Sequence, residues 1–432
     1  MSGDPVGVLI LFGAFTVMLL LKVPIALGLA LASIGAAMWV DLPLQIIGQR
    51  MIQGLASFPL LAIPFFLLAG EIMGSGGISR RLIEFANILV GWLRGGLAAL
   101  NVVGSTFFGG ISGSAVADTS SIGAVMIPMM KRYGYHADYS VGVTISSAAQ
   151  GVLLPPSHNM IIYALAAGGT VSIGGLFAAG IVPGLLLGTM IMVVSLLIAR
   201  RRGYPKGDPI TARDVPRIVW KALAGLLTPI IIVGGILSGV FTATESAAIA
   251  SVWAFVVTFA FYREIPLRSF IGILGRTMKT LATVLFLIAA AAGFGHMLTI
   301  LRVPADVTDF LIGLSDNPIV ILLIINLLLL ALGAIMDMAP LIVITTPILL
   351  PVATSVGMDP VHFGVMLMLN LSMGLITPPV GSVLFVGAAI GDITMEQATR
   401  GVLPFYLPML AALLVITFVP QVSLTLPSLL GF

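Results

Sequence analysis

The sequence predicts an all-α polytopic membrane protein built as an inverted-topology repeat, with two re-entrant helical hairpins and two interrupted helices. Hydrophobic residues make up 59% of the 432-residue chain and charged residues 9%, against roughly 45–50% and about 25% in soluble domains. Apolar runs of about 20 residues, the length that crosses a bilayer, recur along the whole chain. In addition, one pattern of Gly and Pro interruptions occurs twice.

The repeated pattern consists of two motifs in each half of the chain. The first half reads SGSAVADTSSIGAVMIP from Ser112 and QGVLLPPSHN from Gln150, and the second reads LGAIMDMAPLIVITTP from Leu332 and MGLITPPVGS from Met373. The two halves match at offsets of roughly 219 to 223 residues. The matched positions are Asp118 with Asp337, Pro128 with Pro347, Gly151 with Gly374, and Pro155-Pro156 with Pro378-Pro379. Helix-breaking interruptions at matching places in two halves of a membrane chain indicate the binding site of a transporter.

The apolar runs give both halves a similar order of elements. The first repeat, 1–202, contains spans near 5–21, 24–40 and 55–73, an amphipathic arm near 78–94, a broken stretch at 97–130, an interrupted span at 138–167 and a span at 173–199. A basic cytoplasmic loop is predicted over 203–221. The second repeat, 222–432, contains spans near 222–240 and 244–261, an arm near 263–279, a span at 281–300, a broken stretch at 318–351, an interrupted span at 361–390 and a final span near 402–420.

The two broken stretches are predicted to be hairpins that enter and leave on the same side. Non-helical backbone at membrane depth must be buried in protein or line a wet cavity, and a helix that turns halfway satisfies this requirement. Lys and Arg flank the first hairpin, at Arg94, Lys131 and Arg132, which places both its ends in the cytoplasm. Acidic residues flank the second, at Asp306, Asp309, Asp316 and Asp359. The hairpins therefore enter from opposite faces, and both chain termini are expected to be periplasmic.

The paired prolines interrupt the spans at 138–167 and 361–390. A kinked structural helix is the alternative for a single membrane proline, but the same pair in both halves favours a functional break. The freed carbonyls around 152–154 and 375–377 suit a hard monovalent cation. The new helix starts at Ser157 and Ser382 direct N–H groups toward an anion, and neither Lys nor Arg occurs in the tips or breaks. A carboxylate substrate is expected.

Several other function classes are disfavoured by composition. The chain has no cysteine, which excludes disulfides and cysteine-ligated metal centres, and it has no P-loop motif for ATP hydrolysis. A subunit of a proton-pumping or quinone-reacting membrane enzyme is an alternative, but the Lys, Glu and His relays expected of it are almost absent. A passive channel is a further alternative that the opposed half-membrane hairpins disfavour. The chain is expected not to be an enzyme.

Together, SGSAVADTSSIGAVMIPMM, GVLLPPSHN, MDMAPL and GLITPPVGS resemble the large membrane subunit of tripartite ATP-independent periplasmic (TRAP) transporters, the DctM-type M subunit. The resemblance covers essentially the whole chain. It implies an elevator fold of the ion-transporter superfamily, in which a scaffold holds a moving transport domain of hairpins and interrupted helices. Sodium is the implied coupling ion, with no other cofactor. The implied location is the bacterial inner membrane.

The resemblance also implies partners and substrates. A small Q-type membrane subunit is expected as a separate chain, because Met1 stands directly before the first span, and a periplasmic binding protein (P subunit) delivers the substrate. C4-dicarboxylates, sialic acid or other sugar acids, and 2-oxo acids all remain open as substrates. A stand-alone ion-coupled anion transporter of the same superfamily is the alternative function.

The family's binding positions transfer to this chain as three groups. The first implied sodium site comprises Gly110, Ser112, Ser114, Gly151, Leu154 and Pro155. The second comprises Gly333, Ala334, Asp337, Gly374, Thr377 and Pro378. The implied substrate residues are Ser114, Ala115, Ser157, His158, Pro340 and Ser382. Hydroxyl ligands are plentiful at the first sodium site and sparse at the second.

Three further groups of side chains have more than one interpretation. Asp118 and Asp337 lie at membrane depth, where an ionisable residue indicates function, but a carboxylate just inside a helix start also caps N–H groups. Glu71 is expected to face water or a neighbouring subunit. The basic arms are expected to bind lipid phosphates rather than substrate, through Arg80, Arg81, Arg276 and Lys279.

Overall fold

The computed structural model describes residues 4–207 and 210–432. Asp208 and Pro209, in the predicted loop 203–221, lie outside the described residues, as does Met1, on which the expectation of a separate Q-type chain rests. The described part of the chain is helical, and its only β feature is an isolated bridge between Arg94 and Lys206. Seven of its helices are long and apolar enough to cross a membrane. The predicted all-α polytopic fold is confirmed.

The helices of the first half are α1 (Pro5–Leu20), α2 (Ile25–Trp39), α3 (Leu44–Leu55), α4 (Ala62–Ser75), α5 (Ile78–Val90), α6 (Gly96–Ser112), α7 (Ala115–Arg132), α8 (Ala137–Gln150), α9 (His158–Ala166) and α10 (Ile173–Arg201). Those of the second half are α11 (Val215–Leu237), α12 (Ala243–Val256), α13 (Ser269–Ile300), α14 (Val303–Leu314), α15 (Pro318–Gly333), α16 (Met338–Ser355), α17 (Pro360–Gly374), α18 (Ser382–Gly391), α19 (Met395–Phe418) and α20 (Gln421–Leu429). A short 3₁₀ turn, Phe58–Leu61, precedes α4, and a π-helical turn, Val257–Tyr262, follows α12.

The predicted breaks occur where the Gly and Pro motifs place them. The stretch 97–130 is a helix pair, α6 and α7, that turns at Gly113, and 318–351 is the pair α15 and α16, separated at 334–337. The spans 138–167 and 361–390 are also interrupted, into α8 and α9 and into α17 and α18. Gly113 has a φ of +58°, a left-handed conformation that glycine adopts without a steric penalty.

The second predicted arm is wrong. The segment 263–279 is not a separate amphipathic helix, because α13 begins at Ser269 and continues without interruption through the predicted span 281–300. Charged side chains such as Arg276 and Lys279 leave the helical backbone bonds intact, and α13 contains no proline to break them. In the first half, α5 immediately precedes the hairpin. In the second half, this place is taken by the acidic helix α14.

The first hairpin opens at the end of the molecule where α19 begins. Gly95, just before α6, donates its backbone N–H to the carbonyl of Pro205 at 3.1 Å. The ring of Tyr135, just after α7, stacks on Tyr204 with 4.1 Å between centroids. Both ends of the hairpin therefore contact the same loop after α10. Lys131, in the last turn of α7, also donates to the carbonyl of Gly391 at 3.0 Å, shortly before α19 starts.

The second hairpin opens at the opposite end of α19. The short link 356–359 joins α16 to α17, and His362, in the first turn of α17, lies 2.5 Å through Nε2 from the carbonyl oxygen of Ile416 near the end of α19. Because the 24 residues of α19 extend about 36 Å at 1.5 Å per residue, its two ends are a membrane thickness apart. The two hairpins thus enter from opposite faces, as the flanking charges predicted.

Candidate transport site

The tip of the first hairpin packs backbone to backbone against the break between α8 and α9. A Cβ atom added at Gly109 would lie 2.4 Å from the Cα of Gly151, and one added at Gly113 would lie 2.3 Å from the carbonyl oxygen of Pro156. No side chain fits at either position. The glycines of the motif therefore serve close approach, which brings the broken backbone of the interrupted helix against the hairpin tip.

The second half contains the same contact. A Cβ atom added at Gly374 would lie 2.6 Å from backbone atoms of Gly333. The backbone N–H of Val380 donates to the carbonyl of Ala334 at 3.1 Å, which joins the break directly to the hairpin. The prolines of both breaks, Pro155-Pro156 and Pro378-Pro379, are joined by cis peptide bonds. The two halves therefore present equivalent backbone structures.

Most residues of the first implied sodium site lie together at this contact. A Cβ atom added at Gly110 would lie 3.6 Å from the carbonyl oxygen of Pro155, so a main-chain oxygen of the break faces the tip. The Ser112 hydroxyl accepts from the backbone N–H of Ser114 at 3.4 Å, and Ser114 caps α7 by accepting from Ala117 N–H at 3.3 Å. Carbonyl and hydroxyl oxygens are the ligands that hard cations prefer.

The oxygens of the second implied sodium site are more heavily engaged within the chain. The carbonyl of Gly374 accepts from the N–H of Thr377 at 3.0 Å. The Thr377 hydroxyl donates to Met373 and accepts from Tyr406. Asp337 precedes α16 as its N-cap residue without making a side-chain cap bond. Its Oδ1 accepts instead from the Ser382 hydroxyl at 3.3 Å.

The two predicted intramembrane aspartates are not structural equivalents. Ser114 is the N-cap of α7 and Asp337 is the N-cap of α16, so Asp337 corresponds to Ser114, and the sequence pairing of Asp118 with Asp337 is wrong. Asp337 can be aligned with Ser114 or with Asp118, which lie one helical turn apart. Only the positions of the helix starts distinguish the two alignments.

Asp118 lies one turn inside α7 and is completely buried. Its Oδ1 accepts from the Ser105 hydroxyl at 3.3 Å, while its Oδ2 has no hydrogen-bond partner among the described residues. A Cβ atom added at Gly151 would lie 3.7 Å from that Oδ2. Asp118 therefore does not cap the helix, because Ser114 does, and it points instead toward the break.

A cavity of about 970 Å³ lies where the two hairpin tips face α2 and α13. Four of the six implied substrate residues line it: Ser114, Ala115, His158 and Pro340. The other two do not. Ser157 is fully buried, and Ser382 reaches the cavity only through its hydrogen bond to Asp337, which lines the wall. The volume is in the range of pockets that enclose small organic molecules.

The remaining walls of the cavity were not predicted. Apart from Asp337 and Leu375, which belong to or adjoin the predicted second cation region, and positions next to the tips, they come from Asn159 after the first break, from Val23–Leu27 at the start of α2, and from α13 between Thr280 and Leu287. Asn159 could have been found as a polar residue directly after the first break. The α2 and α13 positions carry no comparable local signal, because only the packing of distant helices brings them to the site.

The charges around this cavity are unbalanced. Among the described residues, its lining contains one carboxylate, Asp337, and neither Lys nor Arg. The start of α9 at His158 directs N–H groups into the cavity, and such groups favour negative charge. The N-terminus of α16 also reaches the wall, but Asp337 already places a carboxylate there. An anionic ligand therefore meets favourable dipoles and one unfavourable charge.

Glu71 and Arg276, outside the central cavity, form contacts that the sequence did not predict. Glu71 on α4 does not simply face water, because its Oε2 lies 3.2 Å from Nε of Arg276 on α13. Arg276 also donates through Nη2 to the Ser75 hydroxyl at 3.1 Å. The helix that carries Arg276 is packed against α2, α3 and α4, while the Arg276 side chain itself remains exposed.

Comparison with known proteins decides the family. The model of the tripartite ATP-independent periplasmic transporter DctM component matches residues 12–422. The chain belongs to the TRAP large permease family. This TRAP large permease is 42% identical over 385 residues to the sialic acid TRAP transporter large permease protein SiaM of Vibrio cholerae, covering 89% of this chain and 90% of SiaM.

Two further similarities place this TRAP large permease among transporters. It is 41% identical over 374 residues to the C4-dicarboxylate TRAP transporter large permease protein DctM of Pseudomonas aeruginosa, covering 87% of each chain. Its fold is similar to the crystal structure of the YdaH transporter of Alcanivorax borkumensis, with a TM-score of 0.62 at 15% identity, covering 87% of this chain and 88% of YdaH. The YdaH likeness concerns the fold alone.

Proposed function

We propose that this TRAP large permease takes up an organic acid across the bacterial inner membrane by sodium symport. The observation that carries the proposal is the central cavity, where the two hairpin tips and the break before α9 converge. A carboxylate fits this cavity because helix N-termini and hydroxyls surround it. The paired hairpins, each seated on its own interrupted helix, form the transport domain that moves as an elevator against the scaffold.

Electrostatics supports sodium as the coupling ion. Asp337 places a negative charge on the cavity wall with neither Lys nor Arg beside it, so a substrate carboxylate would enter next to a like charge. A sodium ion held by Asp337 and nearby carbonyls removes that repulsion, so sodium binding increases the affinity for the anion. By reciprocity the anion then increases the affinity for sodium, which is the thermodynamic basis of symport.

The substrate class follows from the same cavity. Relatives are named for sialic acid and for C4-dicarboxylates, and both kinds of solute carry carboxylates. A cavity of about 970 Å³ accommodates either size. We propose a carboxylate that is delivered by a periplasmic binding protein, while a Q-type small permease completes the membrane complex, in keeping with the tripartite family.

The test is uptake into proteoliposomes that contain this chain, its Q-type partner and its binding protein. Organic acids that shift the thermal unfolding of the binding protein provide the substrates to be tested. We expect uptake only with an inward sodium gradient and all three components. Uptake driven by a proton gradient without sodium would contradict the coupling. Saturable uptake by this chain alone would support the stand-alone anion transporter instead.

A further inference from the structure

A second cavity, of about 440 Å³, adjoins the central cavity. The two share Ser114, Val116 and Thr280 as lining residues, so they meet at the tip of the first hairpin. The second cavity lies between α4, α7 and α13 and is rich in hydroxyls, from Ser75, Ser112, Ser114, Ser120, Ser121 and Thr280. These hydroxyls can form hydrogen bonds with a polar solute that leaves the central cavity.

This second cavity contains what the first lacks, a cation. The Arg276 guanidinium lines it and contacts Glu71 through Nε at 3.2 Å and Ser75 through Nη2 at 3.1 Å. The Arg276 side chain is 57% exposed and that of Glu71 is 37% exposed. A pair this exposed contributes little to stability because water screens it. An incoming carboxylate can therefore replace Glu71 as the partner of Arg276.

The position of Arg276 puts the second cavity on the cytoplasmic side. Arg276 lies about two turns after the start of α13. The loop before α13 is tied to the start of α5 by an ion pair between Arg81 and Glu264 at 2.7 Å. Arg80, Arg263 and Arg268 lie close in sequence to this ion pair. Such a concentration of basic residues marks the cytoplasmic face. The cavity leads from the hairpin tip toward that face.

We propose that Arg276 forms a carboxylate-binding subsite on the cytoplasmic branch of the substrate path, where it exchanges Glu71 for the substrate. The proposal rests on the proposed function, since it assumes an organic anion as cargo. Arg276 forms two parallel hydrogen bonds with a carboxylate, a geometry that lysine does not reproduce. Glu71 then acts as a competitor that returns to Arg276 when the substrate leaves, which prevents tight retention of the substrate.

The absence of cysteine allows a binding test that does not depend on transport. Ser120 on α7 is exposed in the second cavity, and S120C in the full chain reports occupancy through its rate of reaction with neutral methyl methanethiosulfonate. The probes are succinate, gluconate and N-acetylneuraminate, with succinamide as the uncharged control. We expect at least one acid, but not succinamide, to slow the modification of S120C.

The two partner variants are expected to act in opposite directions. R276Q should weaken protection by about tenfold or more, the size of a lost charge-assisted hydrogen bond, whereas E71Q should strengthen it because Arg276 loses its competitor. A purely structural ion pair would make both variants behave alike. R80Q is the matched control, because Arg80 pairs with Glu84 on the exposed face of α5 at the same level and should leave protection unchanged.

The outcomes separate this proposal from the proposed function. Protection that depends on Arg276, together with reduced sodium-driven uptake by R276Q, supports the subsite. If no acid protects S120C, or if R276Q is protected as well as the parent, the subsite is wrong even where uptake is intact. Unchanged uptake by R276Q would remove the subsite from the path. Protection without any sodium-driven uptake would retain the subsite and contradict the proposed function.

Discussion

At the scale of single residues, close backbone approach and one uncompensated charge define the site. Gly109 and Gly374 lie where any side chain would collide with backbone, so these glycines allow the hairpins to contact the interrupted helices. Asp337 is the only charged residue among the described residues that line the central cavity. The first feature concerns the shape of the site and the second concerns its ion dependence, and each can be tested by one substitution.

Gly109→Ala should prevent the first hairpin from seating, because its Cβ would lie 2.4 Å from the Cα of Gly151. Overpacking of this kind costs about 1–3 kcal/mol, so we expect a lower unfolding temperature and loss of uptake. Gly104→Ala is the matched control in the same helix, since its Cβ would meet its nearest neighbour at 3.7 Å, an ordinary contact. Equal activity of the two variants would refute a close-packing role for Gly109.

Asp337→Asn should weaken the dependence of substrate binding on sodium. The amide keeps the hydrogen bond with Ser382 but removes the charge that repels the carboxylate and attracts the cation. We expect the sodium concentration for half-maximal uptake to rise and the stimulation by sodium to fall. Asp309→Asn, on the exposed side of α14, is the control. A sodium dependence identical to that of the parent would exclude a charge role for Asp337.

At the scale of elements, buried amides join each hairpin to its interrupted helix. In the first half, Asn101 on α6 donates to the Thr144 hydroxyl on α8 at 2.6 Å. In the second, Asn370 on α17 donates to the backbone and side-chain oxygens of Asn326 on α15, both at 2.9 Å. Polar side chains stabilise helix pairs in lipid by hydrogen bonding across them. Hydrogen bonds therefore join each hairpin to its interrupted helix in one packed unit.

Asn370→Ala should loosen this unit in the second half. It removes both donors to Asn326 and leaves the Asn326 oxygens without those bonds in a buried site. We expect a loss of about 1–3 kcal/mol, measured as a lower midpoint of thermal unfolding in detergent. Thr354→Ala removes only an exposed bond within α16 and should leave the midpoint nearly unchanged. Similar midpoints for Asn370→Ala and the parent would show that the amide is dispensable.

The sequence identifies elements where proline and glycine act locally and misses them where distant packing decides. The first hairpin and both breaks follow from Gly113, Pro155-Pro156 and Pro378-Pro379, because these residues alter the backbone directly, and the second hairpin follows from its place in the repeat. The arm at 263–279 was wrong because charge alone does not end a helix. The helices α3, α14 and α20 were missed because they are too short to register as spans. The α2 and α13 walls of the cavity depend on tertiary contacts that no local pattern encodes.

At the scale of the whole molecule, the two hairpins open at opposite ends of α19, so each tip reaches the middle from a different face. The first hairpin meets the loop after α10 through Gly95 and Tyr135. The second continues into α17 beside Ile416. Because both tips line one cavity, movement of the two hairpins together can expose that cavity to one face and then the other. Inverted-topology repeats of this kind occur in many secondary transporters.

The final prediction assigns the two openings to the two sides of the membrane. The first hairpin and its contact loop carry Arg94, Lys131, Arg132 and Lys206, and basic residues concentrate on the cytoplasmic side. Because the chain has no cysteine, single cysteines report sidedness without background. R132C and T211C should react with a membrane-impermeant maleimide only after the cells are opened, whereas D316C and T354C, at the two ends of the second hairpin, should react in intact spheroplasts. Labelling of R132C and D316C from the same side would contradict the inverted arrangement, because their hairpins open at opposite ends of α19.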